Sequence, residues 1–418
     1  MSTKKKLVLL WHDAGFPEVY NHKCEWLFPK YLAKEYGVPY EIVVLNEGRE
    51  AAFGGKVQED EHGRGGNLCK LANKHGFKSY PSRYALRQCW LFLIPYISYL
   101  VKNRKNISHF MVFHYINITW YMMFFCRLLC PHAKIYLRLD ASLNGAKRLA
   151  NTKPNHNTFW RRFILKRVHG FATSLPHLTS IECSDAFEVL KANPIFAKRN
   201  IAYIPSGVEC RPVGTVRKQK RFFTVGRLGT EQKNTEMLLA ACAAVELKDW
   251  QFWFVGGIEK TEQDFQAVID RFFAAHPEKR EQMIFTGNIS DPARLWQIYD
   301  ESSVFIFPSR SESFGNAAIE ACYAGCYLLL SEVGCARDVS EACGGEGVRI
   351  LGQSKTGQQD EAAMQQQIED AMRAIISGEV SISFDRQKRR EEAESHFLME
   401  NIVKCEAFKA FFADKRAQ

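Results

Sequence analysis

Val304-Phe305-Ile306-Phe307-Pro308-Ser309-Arg310-Ser311-Glu312-Ser313-Phe314-Gly315-Asn316 decides the fold. The first four residues are an apolar run of the kind found in a strand buried on both faces. Pro308 and the serines that follow break it, and Phe314 to Ala324 reads as a helix. Strand, loop and helix in this order put a helix N-terminus at the C-terminal end of a strand. Such an end draws anions through its unpaired N–H groups and its dipole. Gly315 has no Cβ, so a phosphate or a sugar can approach the backbone there. Glu312 lies on the loop, and Glu320 lies about two turns into the helix, on a face that can turn toward it. Carboxylates beside an anion site are poor phosphate ligands but good acceptors for sugar hydroxyls.

The same alternation extends on both sides. In the second half, Arg221 to Val225, Trp250 to Val255, Gln282 to Thr286, Ser303 to Phe307 and Tyr327 to Leu330 read as strands. Thr235 to Val245, Glu262 to Ala275 and Pro292 to Tyr299 read as the helices between them. In the first half, strands are expected at Lys6 to Trp11, Tyr40 to Asn46, Phe110 to Tyr115 and Lys134 to Leu139. Shorter ones are expected at Phe171 to Thr173 and Ile201 to Ile204. Cys24 to Tyr36, Ser82 to Val101 (despite Pro95), a segment from Thr119 and Thr158 to Val168 read as helices, and Gly-rich Ala51 to Gly66 as a mobile loop. Pro205 to Lys220 reads as a linker, and Gln387 to Lys415 as a charged helical segment. The expectation is an α/β chain of two doubly wound halves facing across a cleft, with ligands at the strand C-terminal ends.

With 418 residues, 46% hydrophobic and 24% charged, the chain is long enough for more than one core. It is neither disordered nor fibrous. Thirteen cysteines without regular spacing point to a reducing cytosol rather than a disulfide scaffold. The apolar run Leu7 to Trp11 is too short for the core of a signal sequence. The 21 residues from Phe110 to Cys130 are long enough to cross a bilayer, but His114, Asn117 and Arg127 interrupt them. They read as a strand and a helix, and no transmembrane helix is expected. Net charge is +10, unevenly placed: His62 to Ile181 holds 19 Lys and Arg and one acid, Asp140. Such a field favours an anionic partner: nucleic acid, a phosphorylated substrate or an acidic membrane surface.

No G-x-G-x-x-G, P-loop, G-x-S-x-G or C-x-x-C occurs, and no Asp-x-Asp pair would hold a metal against a diphosphate. Cys126, Cys130 and His132 lie close in sequence, but on an apolar helix end that suits buried thiols. A second phosphate element is present: Gly226-Arg227 ends the first strand of the second half, and Lys233-Asn234 precedes the next helix. Arg227, through its planar fork, and Lys233, as a point charge, can converge on a diphosphate.

Gly226-Arg227, Lys233-Asn234 and Leu238-Leu239, followed by Glu312-Ser313-Phe314-Gly315, Glu320-Ala321 and Gly325, resemble the retaining GT-B glycosyltransferases of glycosyltransferase family 4. The resemblance is specific over Phe222 to Gly334. It is weaker but collinear over the first half, including Ile204-Pro205-Ser206-Gly207-Val208-Glu209, where the family usually has Ile-Pro-Asn-Gly-Val-Asp. It implies a GT-B fold: a Rossmann-like acceptor domain over 1–208, a Rossmann-like nucleotide-sugar donor domain over 219–385, and a C-terminal segment, 386–418, crossing back to the first domain. It implies that Arg227 and Lys233 hold the donor diphosphate, that Glu320 accepts from the ribose hydroxyls, and that Glu312 contacts the transferred hexose. Ser313, Phe314, Gly315 and Asn316 then complete the donor site, largely through backbone donors. Of the two adjacent glycines the family usually has after the first strand, only Gly15 is present, and Asn234 replaces a common glycine.

The implied activity is transfer of a sugar from a nucleoside-diphosphate sugar to a hydroxyl of a glycan or lipid-linked glycan, with retention and with neither metal nor cofactor. Polysaccharide or lipopolysaccharide assembly is the expected setting. The expected location is the cytoplasm, and the basic first half suits a peripheral site on an anionic inner membrane face. Nucleic acid is not expected, because no reading module interleaves the basic residues. A nucleotide-sugar epimerase of the same fold and a non-catalytic sugar-nucleotide or polyanion binder are the alternatives. Asp140 ends the strand Lys134 to Leu139. It either orients a hydroxyl for attack, as a catalytic residue, or pairs with Arg138, Lys147 or Arg148 and caps the next turn. The family often has a His-Asp pair at this strand end, whereas Leu139 precedes Asp140 here.

Overall fold

In parallel sheets both faces are covered, so the strands are apolar throughout, and this accounts for the short apolar runs. The computed structural model describes residues 5–14, 23–46, 67–81, 86–150, 167–211, 216–259, 264–352 and 360–413. The chain divides into two units, residues 1–205 with 399–418, and residues 206–398.

The first unit contains β1 (Lys6–Ala14), α1 (Cys24–Tyr36), β2 (Tyr40–Leu45), β3 (Asn67–Leu71), α2 (Leu86–Asn103), β4 (Ile107–Phe113), α3 (Asn117–Leu129), β5 (Lys134–Leu139) and α4 (Leu143–Ala150). A helix described over 167–172 (α5) follows, then β6 (Leu178–Ile181), α6 (Ser184–Lys191) and β7 (Ile201–Tyr203). The strand order is β3-β2-β1-β4-β5-β6-β7, with parallel pairing throughout. Alternate residues of β1 go to opposite faces. Val8 and Leu10 join the core formed with α2, α3, α4 and α6, while Leu7, Leu9 and Trp11 join the core containing α1. Each fully buried side chain of this kind contributes about 1.5–3 kcal/mol of transfer free energy.

The second unit contains β8 (Gln219–Val225), α7 (Thr235–Ala244), β9 (Gln251–Val255), α8 (Phe265–Ala275), β10 (Met283–Phe285), α9 (Pro292–Glu301), β11 (Ser302–Phe307), α10 (Asn316–Tyr323), β12 (Tyr327–Ser331), α11 (Ala336–Ala342), β13 (Val348–Leu351), α12 (Glu361–Ser377) and α13 (Arg386–Phe397). Its parallel sheet has the order β10-β9-β8-β11-β12-β13. The strand order reverses direction at β1/β4 in one sheet and at β8/β11 in the other. At such switch points the loops beyond the strand ends diverge and leave room for a ligand.

The segment expected to begin at 386 is divided. Ala393 and Phe397 of α13 pack in the core of the second unit. The helices α14 (Met399–Ile402) and α15 (Glu406–Phe412) belong to the first unit, where Phe408 and Phe411 meet Phe28 and Tyr136. Phe171 to Thr173 is not a strand: residues 171 and 172 end α5, and the Thr173 N–H bonds to the His169 carbonyl at 3.0 Å. The N–H groups of Thr173, Ser174 and Leu175 are taken up by carbonyls three or four residues back, so this segment continues a helical turn instead of joining a ladder. Residues 51–66 and 158–166, read as a loop and a helix, lie outside the described residues. The apolar stretch 110–130 is split between β4 and α3. Among the described residues no helix is long and apolar enough to cross a membrane.

Candidate active site

In the second unit the loops after β8 and β11 are tied together by backbone and side-chain bonds. The Arg310 N–H bonds to the Gln232 carbonyl at 2.8 Å, and Gln232 Nε2 donates to the Ser311 carbonyl at 2.9 Å. Arg310 Nη2 donates to Glu361 Oε2 at 2.9 Å, and this hydrogen bond holds the Glu361 carboxyl below its ordinary range. Within this frame Lys233 Nζ donates to Glu312 Oε1 at 2.6 Å, with the two side chains only 16% and 8% exposed. The ammonium also stands 4.7 Å from the centre of the Phe307 ring. Arg227 is exposed, and its Nη2 donates to Gln232 Oε1 at 3.0 Å. The cations expected to converge thus lie on one loop, one shielded and one open to solvent.

Gly315 is the N-cap of α10, with φ 97°. That left-handed backbone excludes a β-branched residue, and a Cβ would stand 3.2 Å from the Phe307 ring. Gly334 (φ 58°) closes the loop from behind: a Cβ there would lie 2.2 Å from the Phe314 carbonyl oxygen. The close approach lets the Cys335 N–H bond to that oxygen at 2.6 Å. Phe314 itself is buried against Phe397, so its side chain anchors the loop and only its backbone is available to a ligand. Ser313 and Asn316 are half-buried beside it. Asn316 Oδ1 is buried without a hydrogen-bond partner among the described residues. Glu320 Oε2 accepts from the Tyr299 hydroxyl at 2.7 Å. Burial, and then Glu320, hold the Tyr299 phenol well above its ordinary range, so it remains a donor. Tyr299 was not singled out in the sequence, and only the packing of α9 against α10 reveals it.

In the first unit a cavity of about 640 Å³ opens beyond the ends of β1, β4 and β5. His12, Tyr80, His114, Asp140, Arg148 and His169 contribute to its wall. His114 Nδ1 lies 3.6 Å from Asp140 Oδ2. A histidine thus stands beside Asp140, just beyond the end of the neighbouring strand β4, although none precedes it in sequence. His114 holds φ 63°, a conformation that costs a non-glycine residue roughly 1–2 kcal/mol and is found preferentially at functional sites. Its ring meets the His12 ring edge-on at 5.0 Å. Arg138, one alternative partner for Asp140, is buried elsewhere: its guanidinium bonds to Glu182 and to the Ile204 carbonyl, both at 3.0 Å. Ser142 caps α4, accepting from the Gly145 N–H at 3.2 Å. Gly15 lies outside the described residues. Cys126 and Cys130 are buried, and His132 Nε2 lies 3.0 Å from the Ile107 carbonyl oxygen. Among the described residues no group of three His, Cys, Asp or Glu side chains could hold a metal ion.

Burial, and then the neighbouring His114, lower the His12 pKa to about 3. Below about pH 6.5 the unfolded chain takes up a proton that the folded one refuses. Stability is therefore expected to fall as pH drops through this window, by up to about 1.4 kcal/mol per unit from this one group. Burial pushes the Asp13 carboxyl up, and burial lowers His169 in the same direction as His12. Thermal unfolding of His12→Gln should show a flatter pH dependence between about pH 6.5 and 5 than the wild type. An unchanged slope would show that His12 takes up its proton in the fold.

Residues 219–373 match the family model described as Glycosyl transferases group 1. No curated protein matches the chain in sequence. Solved structures match over nearly its whole length. Sucrose-phosphate synthase from Thermosynechococcus elongatus superposes with a TM-score of 0.65 at 17% identity, covering 97% of each chain. The lipopolysaccharide outer core galactosyltransferase WaaB, in its apo form, gives 0.62 at 14% identity, covering 97% of this chain and 99% of its own. HepE from Anabaena in complex with UDP gives 0.60 at 13% identity, covering 95% and 97%. At such identities the likeness is one of fold. The chain has the GT-B fold, and its residues 219–373 are similar to the glycosyl transferases group 1 domain.

Proposed function

We propose that this chain is a retaining, metal-independent glycosyltransferase. It moves a sugar from a nucleoside-diphosphate sugar to a hydroxyl of a glycan or lipid-linked glycan acceptor. The carrying observation is the shielded Lys233–Glu312 pair at the N-terminus of α10, with Glu320 further along the same helix. In this reading the donor diphosphate takes Lys233 from Glu312 and also engages Arg227. Glu312 is then free to accept from hydroxyls of the transferred sugar, and Glu320, oriented by Tyr299, accepts from the ribose. Backbone N–H groups of Ser313, Phe314, Gly315 and Asn316 face the phosphate or the sugar. As the glycosidic bond breaks, charge accumulates on the diphosphate. Two cations and a helix dipole stabilise it most at that point, so no metal is needed. Retention follows if the acceptor hydroxyl attacks from the leaving-group face and passes its proton to a donor phosphate oxygen. Asp140, paired with His114, positions the acceptor hydroxyl in the first unit. The likeness to WaaB and to the UDP complex of HepE supports a nucleotide-sugar donor and a lipopolysaccharide or polysaccharide setting.

The test is a thermal-shift screen of nucleotide sugars, followed by turnover and NMR of the product anomer. A glycosylated acceptor with retained configuration is expected. Release of an isomerised nucleotide sugar would assign an epimerase, and tight binding without transfer or hydrolysis would assign a binder. Glu320→Gln should keep the fold and weaken nucleoside-diphosphate binding by roughly tenfold or more, since a hydrogen bond to a charged group is worth about 1.5–3 kcal/mol. Unchanged affinity by calorimetry would remove Glu320 from the site.

A further inference from the structure

The inner faces of α2 and α3 are core: Phe92, Leu93 and Tyr96 of α2 and Ile118, Met122 and Met123 of α3 are buried. Their outer faces are apolar as well. Trp90 and Ile94 are each 54% exposed and Val101 48%, while Tyr121 and Phe124 are each 39% exposed and Leu128 60%. Spacings of three, four and seven residues align each set as one stripe along its helix. The stripes are joined. Trp90 meets Phe125 edge-on at 5.8 Å, Phe125 lies 5.4 Å from Phe124, and Phe124 lies 6.2 Å from Phe171 of α5. Single exposed apolar residues are ordinary, but a stripe continuous over three helices marks an interaction surface.

The charge around it has one sign. Arg87 stands one turn before Trp90, Lys102, Arg104 and Lys105 lie at the far end of α2, and Arg127 adjoins Leu128, all of them exposed. No acid occurs in α2, α3 or α5. The cations stand at both ends of the apolar stripe rather than at one point. That distribution complements a diffuse layer of negative charge over an apolar phase better than it complements a single acidic segment.

We propose that the outer face of α2 and α3 docks on an anionic lipid bilayer. The aromatic side chains sit at the boundary between headgroups and acyl chains, and the flanking cations lie over anionic headgroups. This surface shares no residue with the donor or acceptor sites, so the proposal stands apart from the reaction assigned above.

The test is co-sedimentation of the full chain with vesicles of phosphatidylcholine alone or mixed with phosphatidylglycerol. Binding to the mixed vesicles should exceed binding to the neutral ones by roughly tenfold or more, and should weaken as salt is added. The triple variant Trp90→Ser, Phe124→Ser, Leu128→Ser should lose roughly tenfold in partition while remaining folded by circular dichroism, because none of the three side chains belongs to the buried core. In a separate arm, phospholipids brominated on the acyl chain should quench tryptophan fluorescence in the wild type and less so in Trp90→Phe. Absence of binding, equal binding to both vesicle types, or full binding by the triple variant would overturn the proposal. Concentration-dependent dimers that the triple variant abolishes, without vesicle binding, would assign the face to a second copy of the chain instead.

Discussion

Lys233→Ala is expected to lower turnover by roughly a hundredfold to a thousandfold, the scale of losing one preorganised group that stabilises developing charge. The reason is its setting. Lys233 is 16% exposed and stands between Glu312 and the Phe307 ring, so its field acts through little water. Arg227 is exposed, and its replacement by alanine should cost less. The loss should fall on turnover more than on binding of the intact donor, because charge on the diphosphate grows as the bond breaks. The variant also leaves the Glu312 carboxylate buried without its cation, at a cost of about 1–3 kcal/mol of stability. The double variant Lys233→Met, Glu312→Gln removes that orphaned charge. It should recover unfolding temperature but not activity. Turnover of Lys233→Ala within tenfold of wild type would remove Lys233 from the diphosphate site.

Asp140→Asn should lower turnover by roughly a hundredfold or more, the scale of a lost general base or positioning group, with little change in unfolding temperature. Asp140 is exposed, its carboxylate lies 3.6 Å from His114, and both line the cavity of the first unit. An amide keeps the shape but not the charge that would orient the imidazole. His114→Asn is the companion, since asparagine tolerates the left-handed backbone that His114 adopts. Both variants should affect transfer to the acceptor while nucleoside-diphosphate affinity stays unchanged. Wild-type turnover in Asp140→Asn, or loss of activity only through unfolding, would leave Asp140 a structural role.

The legible parts of the site are those built within one short segment. Glu312, Gly315 and Glu320 occupy a single strand–loop–helix, so local geometry alone puts them at a helix N-terminus. The partner of Glu312 is a different matter. Lys233 is 79 residues away, and the contact exists because β8 and β11 are neighbours in the sheet. His114 and Asp140 meet in the same way, through the pairing of β4 with β5.

By itself the sequence determined the class of the fold. Strands buried on both faces must be apolar throughout, and helices covering a sheet must be apolar on one side, so the alternation was written in composition. Elements with mixed composition escaped it: β3, Asn-Leu-Cys-Lys-Leu, carries no continuous apolar run. Tertiary structure alone decided which strand ends lie side by side, that Tyr299 holds Glu320, and that the chain changes units between Leu398 and Met399. It also decided which side of α2 and α3 is core, because both faces of these helices are apolar and only the position of the sheet distinguishes them.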